Sequence, residues 1–538
     1  MRRNNSLIVV LNPVTKKLLQ MKLQSIILSA ITAAALFTSC KKEVVSRTEE
    51  IAALNPANID INAGTWKPIL LTGPTEFAVA APGATNTPGY TAEINEIKSW
   101  QQNMSGSQKN QIKYWGGGAV LRWNEILREL VAKYNLPPYQ NADGSYPIPD
   151  ANNPLAVTKF PFANPPYAAR AYAYVSAAQY DALVAAWHYK KLYNRLAPYK
   201  INATVNTLLP QSDLPSYPSE DAVVIGVMTE MMKLLFPGEQ AYIQTLAAEH
   251  RNARIAAGMN VRSDMEAGEA LGRAVAQKFV TRARGDRAGA SVAIVNGVDL
   301  WKEYETSAIN RGEVPWISQE TPKRPPMLPY FGKVRTWLFD SLTMVTQIRA
   351  VPPPSTSSEQ FRKETEEVLH YSKNASRDEV AIAHFWADGV STYTPPGHWN
   401  AIAADDFIPL RFSEVRWARN LALLNMSLMD AVIACWDTKF FYYNPRPSQV
   451  NPGIKTWTGL PNFPSYTSGH STFSGAAATI LGHIVPARKQ AYDAMALEAS
   501  LSRLYGAIHY RSDCEKGLEA GNKVGAFAIA RAQTDGAD

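Results

Sequence analysis

The 538-residue chain has few cysteines, few charges for its length and no basic stripe. Its three cysteines are Cys40, Cys435 and Cys514, and no C-x-x-C pair occurs, so a zinc site or a disulfide framework has no support. Charged residues make up 19% of the sequence, and part of the formal net charge of +7 lies in the N-terminal leader. Because basic residues are not interleaved with aromatic ones along any segment, we expect no nucleic-acid partner.

Long apolar runs are also absent after residue 40, so the sequence predicts no integral membrane enzyme. Before that point, a lysine, a short apolar run and small residues lead from Met21 to Cys40, which is typical of a secretory signal. The ending L-F-T-S-C resembles a bacterial lipobox, whose cysteine becomes lipid-modified. An ordinary signal peptide with a chance cysteine is the alternative. We expect residues 1–40 to be a leader and the protein to be a periplasmic or cell-surface lipoprotein anchored at Cys40.

The rest of the chain shows helical periodicity and little strand-type alternation, which predicts an all-α fold. Residues 41–90 are rich in Pro, Thr, Ala and Gly and are expected to be a linker. Helices are predicted from about Thr91 onward, with Pro-rich connectors at 136–166 and 320–329. The predicted helices are 107–134, 165–194, 217–235, 238–257, 261–284, 357–373, 376–388, 412–441, 468–484, 487–508 and 512–531.

An internal repeat predicts two homologous helical bundles, at 91–330 and 331–538. Three matched segments share one offset of 249 residues: Asp181–Trp187 with Asp430–Trp436, Pro215–Ser219 with Pro464–Ser468, and Arg262–Asp264 with Arg511–Asp513. A gapless register over some hundred residues argues for a duplication within the chain.

The two copies differ at the residues that carry chemistry. Lys439 and Arg503 correspond to residues of the same type, Lys190 and Arg254. Four further residues are replaced in the first copy: Arg446 corresponds to Ala197, Gly469 to Glu220, His470 to Asp221, and His509 to Asn260. The first copy thus has two acids where the second could hold an anion, and like charges repel. We expect the first bundle to be structural and the second to be catalytic.

Lys439 and Arg446 are the first two cations of this second site. Lys439 continues a buried stripe that contains Trp417, Val432 and Cys435, and a buried lysine is costly unless an anion neutralises it. A structural carboxylate is the alternative to a bound anion. The helix cannot pass through Asn444-Pro445-Arg446-Pro447, so Arg446 should project from a turn just beyond its end.

The segment Ser468-Gly469-His470 precedes an apolar run with helical spacing, which makes Ser468 an N-cap candidate. Free backbone N–H groups at a helix start attract anions, and Gly469 would leave room for close approach. His470 would lie where it can exchange a proton with the anion. The triplet taken alone is usually only a helix start.

His509 and Asp513 are four residues apart and are predicted to share a helix face. The carboxylate would hold one ring nitrogen and leave the other as nucleophile or metal ligand. Such a pair on its own is more often structural, but here it follows the two anion-binding segments.

Together these segments resemble the superfamily of vanadium-dependent haloperoxidases and type 2 phosphatidic acid phosphatases. The signature is Lys439-x6-Arg446-Pro447, then Ser468-Gly469-His470, then Arg503-x5-His509-x3-Asp513. Tyr466 and Thr467 stand between Pro-Ser and Ser-Gly-His, which is more similar to the soluble, chloroperoxidase-like branch than to compact phosphatases. The resemblance covers roughly residues 90–535 and implies an all-α pair of bundles with one active site, in the C-terminal bundle.

The resemblance implies a role for each residue of the signature. Vanadate, or phosphate or sulfate in its place, would be bound by Lys439, Arg446, Ser468, Gly469 and Arg503. His509 would be the axial vanadium ligand, and His470 the general acid–base. Asp388, in F-W-A-D-G, resembles a family acid that hydrogen-bonds the last arginine, here Arg503. Trp436 and Phe463 resemble halide-side residues, although Trp436 has a counterpart in Trp187 and could simply be core.

The implied function is a vanadate-dependent haloperoxidase that oxidises halide with hydrogen peroxide to hypohalous acid. The alternative is a secreted acid phosphatase that hydrolyses small phosphoesters through a phosphohistidine at His509. A non-catalytic surface lipoprotein is disfavoured because the second site is intact. The sequence leaves open the halide, the organic substrate, the oligomeric state, the membrane leaflet, and whether His384 or His398 lines the pocket.

Overall fold

The computed structural model describes residues 51–136, 164–292, 294–295, 298–321 and 323–537. Within these ranges the architecture is helical, with one short antiparallel ladder between Ile294–Val295 and Val298–Asp299. The all-α prediction is confirmed. The predicted leader, with Cys40, and nearly all of the predicted connector 136–166 lie outside the described residues.

The helices follow the predicted order closely. In chain order they are α1 Pro88–Gln102, α2 Gly106–Gly116, α3 Ala119–Tyr134, α4 Pro165–Tyr193, α5 Pro198–Ile201, α6 Glu220–Leu235, α7 Gln240–Ala256, α8 Arg262–Arg284, α9 Lys302–Asn310, α10 Ser341–Thr343, α11 Glu359–Asn374, α12 Arg377–Phe385, α13 Thr394–Phe407, α14 Glu414–Tyr442, α15 Pro447–Val450, α16 Gly469–Ile484, α17 Lys489–Tyr505 and α18 Arg511–Ala532. Short 3₁₀ turns lie at Ala63–Thr65, Pro237–Glu239, Ala288–Ala290, Phe331–Lys333, Ile408–Leu410 and Pro486–Arg488, and a π-helical turn at Met344–Ile348.

The two longest helices, α4 and α14, form the centre of the molecule and pack against each other. α14 begins at Ser413, whose hydroxyl accepts the N–H of Arg416, and ends at Tyr443 in a left-handed conformation with φ 57°. The N-cap satisfies one of the free N–H groups at the helix start, and the left-handed residue turns the chain out of the helix. Most side chains of both helices are buried.

Helix bounds recur along the chain with the offset seen in the sequence. The pairs α4 and α14, α6 and α16, and α7 and α17 each begin and end 249 residues apart. The packing also corresponds, since α6 packs on α8 in the first half and α16 packs on α18 in the second. Common ancestry of the two bundles stays a prediction, but corresponding residues can be compared position by position.

The linker prediction is wrong for residues 52–87, which pack onto the helices. Asp60 accepts hydrogen bonds from Ser413 Oγ at 2.5 Å and Arg416 Nη2 at 2.6 Å. Asp181, on α4, accepts the backbone N–H groups of residues 69–71 at 2.6 to 3.0 Å. Residues 52–87 therefore lie against the helices although their composition is rich in Pro and Gly. Side chains of the helices pair with their backbone groups, which a strand or helix would otherwise do.

Residues 52–538 form one compact unit, with no break near residue 330 in the part that the structure describes. In that part, one stretch, Glu414–Val450, is long and apolar enough to cross a membrane, and 94% of its apolar window is buried in the protein. Its apolar character is that of a core helix. Cys435 is also buried on it, as expected for a small hydrophobic residue.

Candidate active site

Lys439 lies at the C-terminal end of α14 and is fully buried. Its ammonium group donates to the carbonyl oxygens of Pro464 and Ser465, each at 2.8 Å, and no carboxylate pairs with it among the described residues. Burial, followed by the positive charge of Arg446, lowers the pKa of Lys439 to about 7. The structural-carboxylate alternative is therefore excluded, and a bound anion would restore the charge that burial disfavours.

Arg446 follows in the turn between α14 and α15, as predicted, and is also fully buried. Its Nε donates to the Phe463 carbonyl at 3.0 Å and its Nη1 to the Ile508 carbonyl at 2.9 Å. Nη2 has no hydrogen-bond partner among the described residues. Burial lowers the pKa of Arg446 to about 10. An unsatisfied buried guanidinium donor is costly, and an anion beside it would accept that hydrogen.

The N-terminus of α16 lies at the predicted helix start, and its role in binding an anion stays a prediction. Ser468 is the N-cap, and its Oγ accepts the N–H of Ser471 at 3.3 Å. A methyl group added at Gly469 would meet no atom within 4 Å, so space is open beside its backbone. Free N–H groups and the helix dipole favour a negative charge at this point.

His470, in the first turn of α16, has an Nε2 atom without a hydrogen-bond partner among the described residues. Burial, and then the positive charge of Arg503, lower the pKa of His470 well below 6.5. The carbonyl groups of Ala387 and Trp386 lie close enough to oppose this shift. The imidazole is thus neutral near pH 7 and able to accept a proton.

The two ring nitrogens of His509 have different partners, a carboxylate at Nδ1 and a cation at Nε2. Its Nδ1 lies 2.8 Å from Asp513 Oδ2, and its Nε2 lies 3.0 Å from Arg446 Nη1. Since the arginine can only donate, Nε2 is the acceptor and Nδ1 carries the hydrogen. Burial, and then Arg446 and Lys439, lower the pKa of His509 well below 6.5. The Nε2 lone pair therefore faces the cationic cluster.

The predicted shared helix face of His509 and Asp513 is wrong, although the contact itself is present. α18 begins at Arg511, so His509 precedes the helix, while Asp513 is in its first turn and accepts the N–H of Tyr510 at 3.2 Å. Ser465 was not predicted, yet its Oγ donates to Asp513 Oδ2 at 2.5 Å. The only sequence signal for Ser465 was its place in the repeat, opposite Ser216.

Arg503 is buried on α17 and donates from Nη2 to the Ala383 carbonyl at 2.7 Å. Burial lowers its pKa to about 10, and the negative charge of Asp388 acts in the opposite direction. The predicted hydrogen bond between Asp388 and Arg503 is absent from the described structure. Both Asp388 oxygens instead lie 3.1 Å from His398 Nδ1, because the Asp388 backbone is left-handed, with φ 45°, and the carboxylate meets the start of α13.

Trp436 and Phe463 lie against each other, with ring centroids 4.9 Å apart. Phe463 borders the cations directly, since Lys439 Nζ and the Arg446 guanidinium carbon are 5.0 and 5.1 Å from its ring centroid. The indole N–H of Trp436 donates to the Met327 carbonyl at 3.2 Å. Phe463 thus lines the cluster, whereas the polar edge of Trp436 is used within the fold.

The corresponding place in the N-terminal bundle is filled by the protein's own carboxylates. Lys190 Nζ pairs with Glu220 at 2.7 Å, and Arg254 Nε with Asp221 at 3.0 Å. Asp221 also lies 3.0 Å from His250 Nε2. The same helix start that is open at Gly469 is therefore already neutralised in the first copy.

Comparison with known proteins agrees with this geometry. Residues 420–535, which contain every cation and both histidines of the site, match the family model described as PAP2 superfamily. The match lies in the C-terminal bundle, from within α14 to just past the end of α18. The superfamily prediction from the signature is confirmed. The sequence matches no curated protein.

Solved structures with a similar fold have low sequence identity to this chain. A bacterial vanadium-dependent iodoperoxidase superposes with a TM-score of 0.53 at 23% identity, covering 69% of this chain and 92% of that one. The holo form of a bacterial vanadium-dependent chloroperoxidase gives 0.49 at 13% identity, covering 71% and 95%. Its apo form gives 0.47 at 13%, covering 68% and 92%.

Proposed function

We propose that this protein is a vanadate-dependent haloperoxidase, which oxidises halide with hydrogen peroxide to hypohalous acid. The observation that carries the proposal is the buried set of Lys439, Arg446 and Arg503, which has no carboxylate salt bridge among the described residues. Burying three cationic side chains without a paired carboxylate is costly, and a bound anion would offset that cost.

Vanadate fits the donors that are available. Arg446 Nη2 is a donor without a partner among the described residues, and the space beside Gly469 is open, so an oxyanion oxygen would find both a hydrogen bond and room there, while His470 Nε2 remains available to exchange a proton. His509 would hold the vanadium through Nε2, in place of its hydrogen bond from Arg446 Nη1, since imidazole is a common transition-metal ligand. Vanadate, when bound, would supply a Lewis-acid centre that activates peroxide for attack by halide.

The chain's own residues would do the remaining work. Lys439, Arg446 and Arg503 would hold the negative charge in place, and Asp513 with Ser465 would keep His509 in one tautomer and orientation. His470, neutral near pH 7, would accept the peroxide proton and return it to the departing oxygen. Phe463 would keep part of the halide side of the pocket apolar.

A phosphatase using the same residues is the second candidate. The observation that favours it is the match of residues 420–535 to the PAP2 superfamily model, together with the His509 Nε2 lone pair, which faces the cations and would exchange its hydrogen bond from Arg446 Nη1 for a bond to phosphorus. The likeness to the iodoperoxidase fold over 92% of that chain supports the oxidative candidate instead. The two candidate activities are distinguished by their substrates, which are peroxide and halide for the haloperoxidase and a phosphoester for the phosphatase.

The experiment incubates purified protein with orthovanadate, hydrogen peroxide and chloride, bromide or iodide, and follows halogenation of an indicator dye. We expect vanadate-dependent turnover that is lost in His509→Ala and kept in Asn260→Ala, its counterpart in the first bundle. No turnover with any halide, alongside hydrolysis of p-nitrophenyl phosphate by the vanadate-free protein, would assign the phosphatase activity.

We also propose that the protein is exported and lipid-anchored at Cys40, on the basis of the leader sequence alone. Labelling of cells with a fatty-acid analogue should mark the wild-type protein and leave Cys40→Ser unlabelled. Labelling of both, or of neither, would contradict the anchor.

A further inference from the structure

The segment 386–394, called the 386–394 loop here, connects α12 to the first residue of α13 and borders the anion site. The carbonyl groups of Trp386 and Ala387 lie near His470, and the carboxylate of Asp388 acts on Arg503 and binds His398. The position of this one loop therefore affects the environment of both a proton-exchanging histidine and an anion-binding arginine.

The loop has an unfavourable backbone. Asp388, Ser391 and Thr394 have φ values of 45°, 63° and 66°, in the left-handed region that residues with a side chain rarely adopt. Such conformations persist only where the surrounding structure holds them, and they concentrate at functional sites. Something outside the loop must therefore hold it.

Asn135 provides that hold from the N-terminal half of the chain. It directly follows α3 and is 6% exposed. Its side-chain amide donates to the carbonyl oxygens of Gly389 at 2.7 Å and Thr392 at 3.0 Å. Its own carbonyl accepts the N–H of Ser391 at 2.7 Å. Three hydrogen bonds from one residue thus fix the strained part of the loop.

We propose that Asn135 is a positioning residue for the C-terminal anion site: it fixes the 386–394 loop so that Asp388 is held against His398 beside Arg503. The inference rests on the proposed function only in taking orthovanadate as the ligand. It gives the first bundle, which has no anion seat of its own, a part in building the second site.

The isosteric variant Asn135→Asp tests this directly, because a carboxylate cannot donate to the carbonyl groups of Gly389 and Thr392. Losing these two hydrogen bonds releases the left-handed backbone of the loop and should lower orthovanadate affinity about tenfold, measured by calorimetry. The amides of 386–394 should also exchange hydrogen faster. The matched control is Asn103→Asp, since Asn103 likewise follows a helix, α1, but is exposed.

A double-mutant cycle with Asp388→Asn separates positioning from a general loss of stability. If Asn135 acts through the loop, Asn135→Asp should change affinity less than about twofold in the Asp388→Asn background. Asn135→Ala replaces Asn135→Asp if the latter does not fold.

Unchanged affinity in Asn135→Asp, or an equal loss in both backgrounds, would overturn the inference. If the wild-type protein binds no orthovanadate, the proposed function fails. Hydrogen exchange then decides the positioning role alone, and exchange in 386–394 that is no faster in the variant than in wild type would overturn it.

Discussion

At the scale of single residues, the site is defined by charge that the protein leaves uncompensated. Among the described residues, Lys439 has two carbonyl acceptors and Arg446 Nη2 has no partner, while the His509 lone pair points towards both cations. The pKa values of all three are lowered, with burial as the first cause. An anion bound here would therefore favour the charged form of Lys439, the cation that burial brings closest to neutrality.

Anion binding should take up a proton at Lys439. Its pKa of about 7 leaves it mostly neutral at pH 8, and a neighbouring dianion raises that pKa, so about one proton should enter with the ligand. Sulfate does not titrate in this range, and calorimetry of sulfate binding in buffers of different ionisation enthalpy measures the uptake. Lys439→Met should abolish the buffer dependence; heats that are independent of buffer in the wild-type protein would contradict this assignment.

The stability of the anion-free protein should also depend on the titration of Lys439. The folded-state pKa of Lys439 lies below its unfolded value of 10.5, so the folded state binds fewer protons. The free energy of unfolding should therefore rise as pH increases from about 7 towards 10. Lys439→Met should lack this part of the rise in denaturant titrations.

Ser465 is expected to matter through His509 rather than by touching the anion. Its hydroxyl donates to the Asp513 oxygen that also holds His509 Nδ1. Outer partners of a ligating histidine typically contribute 10- to 100-fold in affinity or activity, so Ser465→Ala should lower orthovanadate affinity by roughly tenfold. Its counterpart Ser216→Ala, in the first bundle, should leave affinity unchanged; equal effects in the two variants would contradict the role.

At the scale of elements, the corresponding helices α6 and α16 differ in the charge at their N-termini. Glu220 and Asp221 neutralise Lys190 and Arg254 at the start of α6, whereas Gly469 and His470 leave the start of α16 open. The carboxylates at the start of α6 thus occupy the place that corresponds to the proposed anion at the start of α16, and each would neutralise the nearby cations.

Gly469→Glu should convert the second site into the first. The space beside Gly469 accommodates a side chain, and a glutamate there should pair with Lys439 as Glu220 pairs with Lys190. We expect orthovanadate affinity to fall by about 100-fold or more, because the anion would have to displace a buried ion pair. Thermal stability should rise. Gly469→Gln controls for size, and an equal loss in that variant would show that space rather than charge decides.

Sequence periodicity predicted the long helices well because their apolar stripes repeat every three or four residues. It missed α13, which begins with Thr394-Pro395-Pro396-Gly397 and reads as a turn, although proline is well tolerated in a first helical turn. It also missed the partner of Asp388, since a positive φ at a non-glycine residue leaves no signature in the sequence. Local pattern thus gave the helices and the signature, while long-range contacts such as Asp388–His398 required the fold.

At the scale of the whole molecule, the two halves share one interior. Asn425 on α14 donates to Ser176 on α4 at 2.9 Å, and Asn400 on α13 accepts from Asn124 on α3 at 2.9 Å. Glu414 accepts the N–H groups of Ala119 and Val120 at the start of α3. These contacts are buried, so separating the halves would expose both apolar surface and unpaired polar groups.

Residues 331–538 alone should therefore fail to fold cooperatively, although they contain every residue of the signature. Calorimetry and near-ultraviolet circular dichroism of this fragment should show no cooperative unfolding transition. The control is the same fragment mixed with residues 52–330, which could restore the shared interior. A sharp transition and orthovanadate binding by the fragment alone would contradict a structural role for the first bundle.

The central claim is that the C-terminal bundle encloses a tetrahedral or trigonal oxyanion between Lys439, Arg446, Arg503 and His509. Its most direct test is a crystal structure of the protein grown with orthovanadate. The account predicts one vanadium bonded to His509 Nε2, with its oxygens on the Arg446 Nη2 donor and the Gly469 amide. Vanadate bound beside Arg254 instead, or a C-terminal pocket that stays empty at saturating orthovanadate, would contradict it.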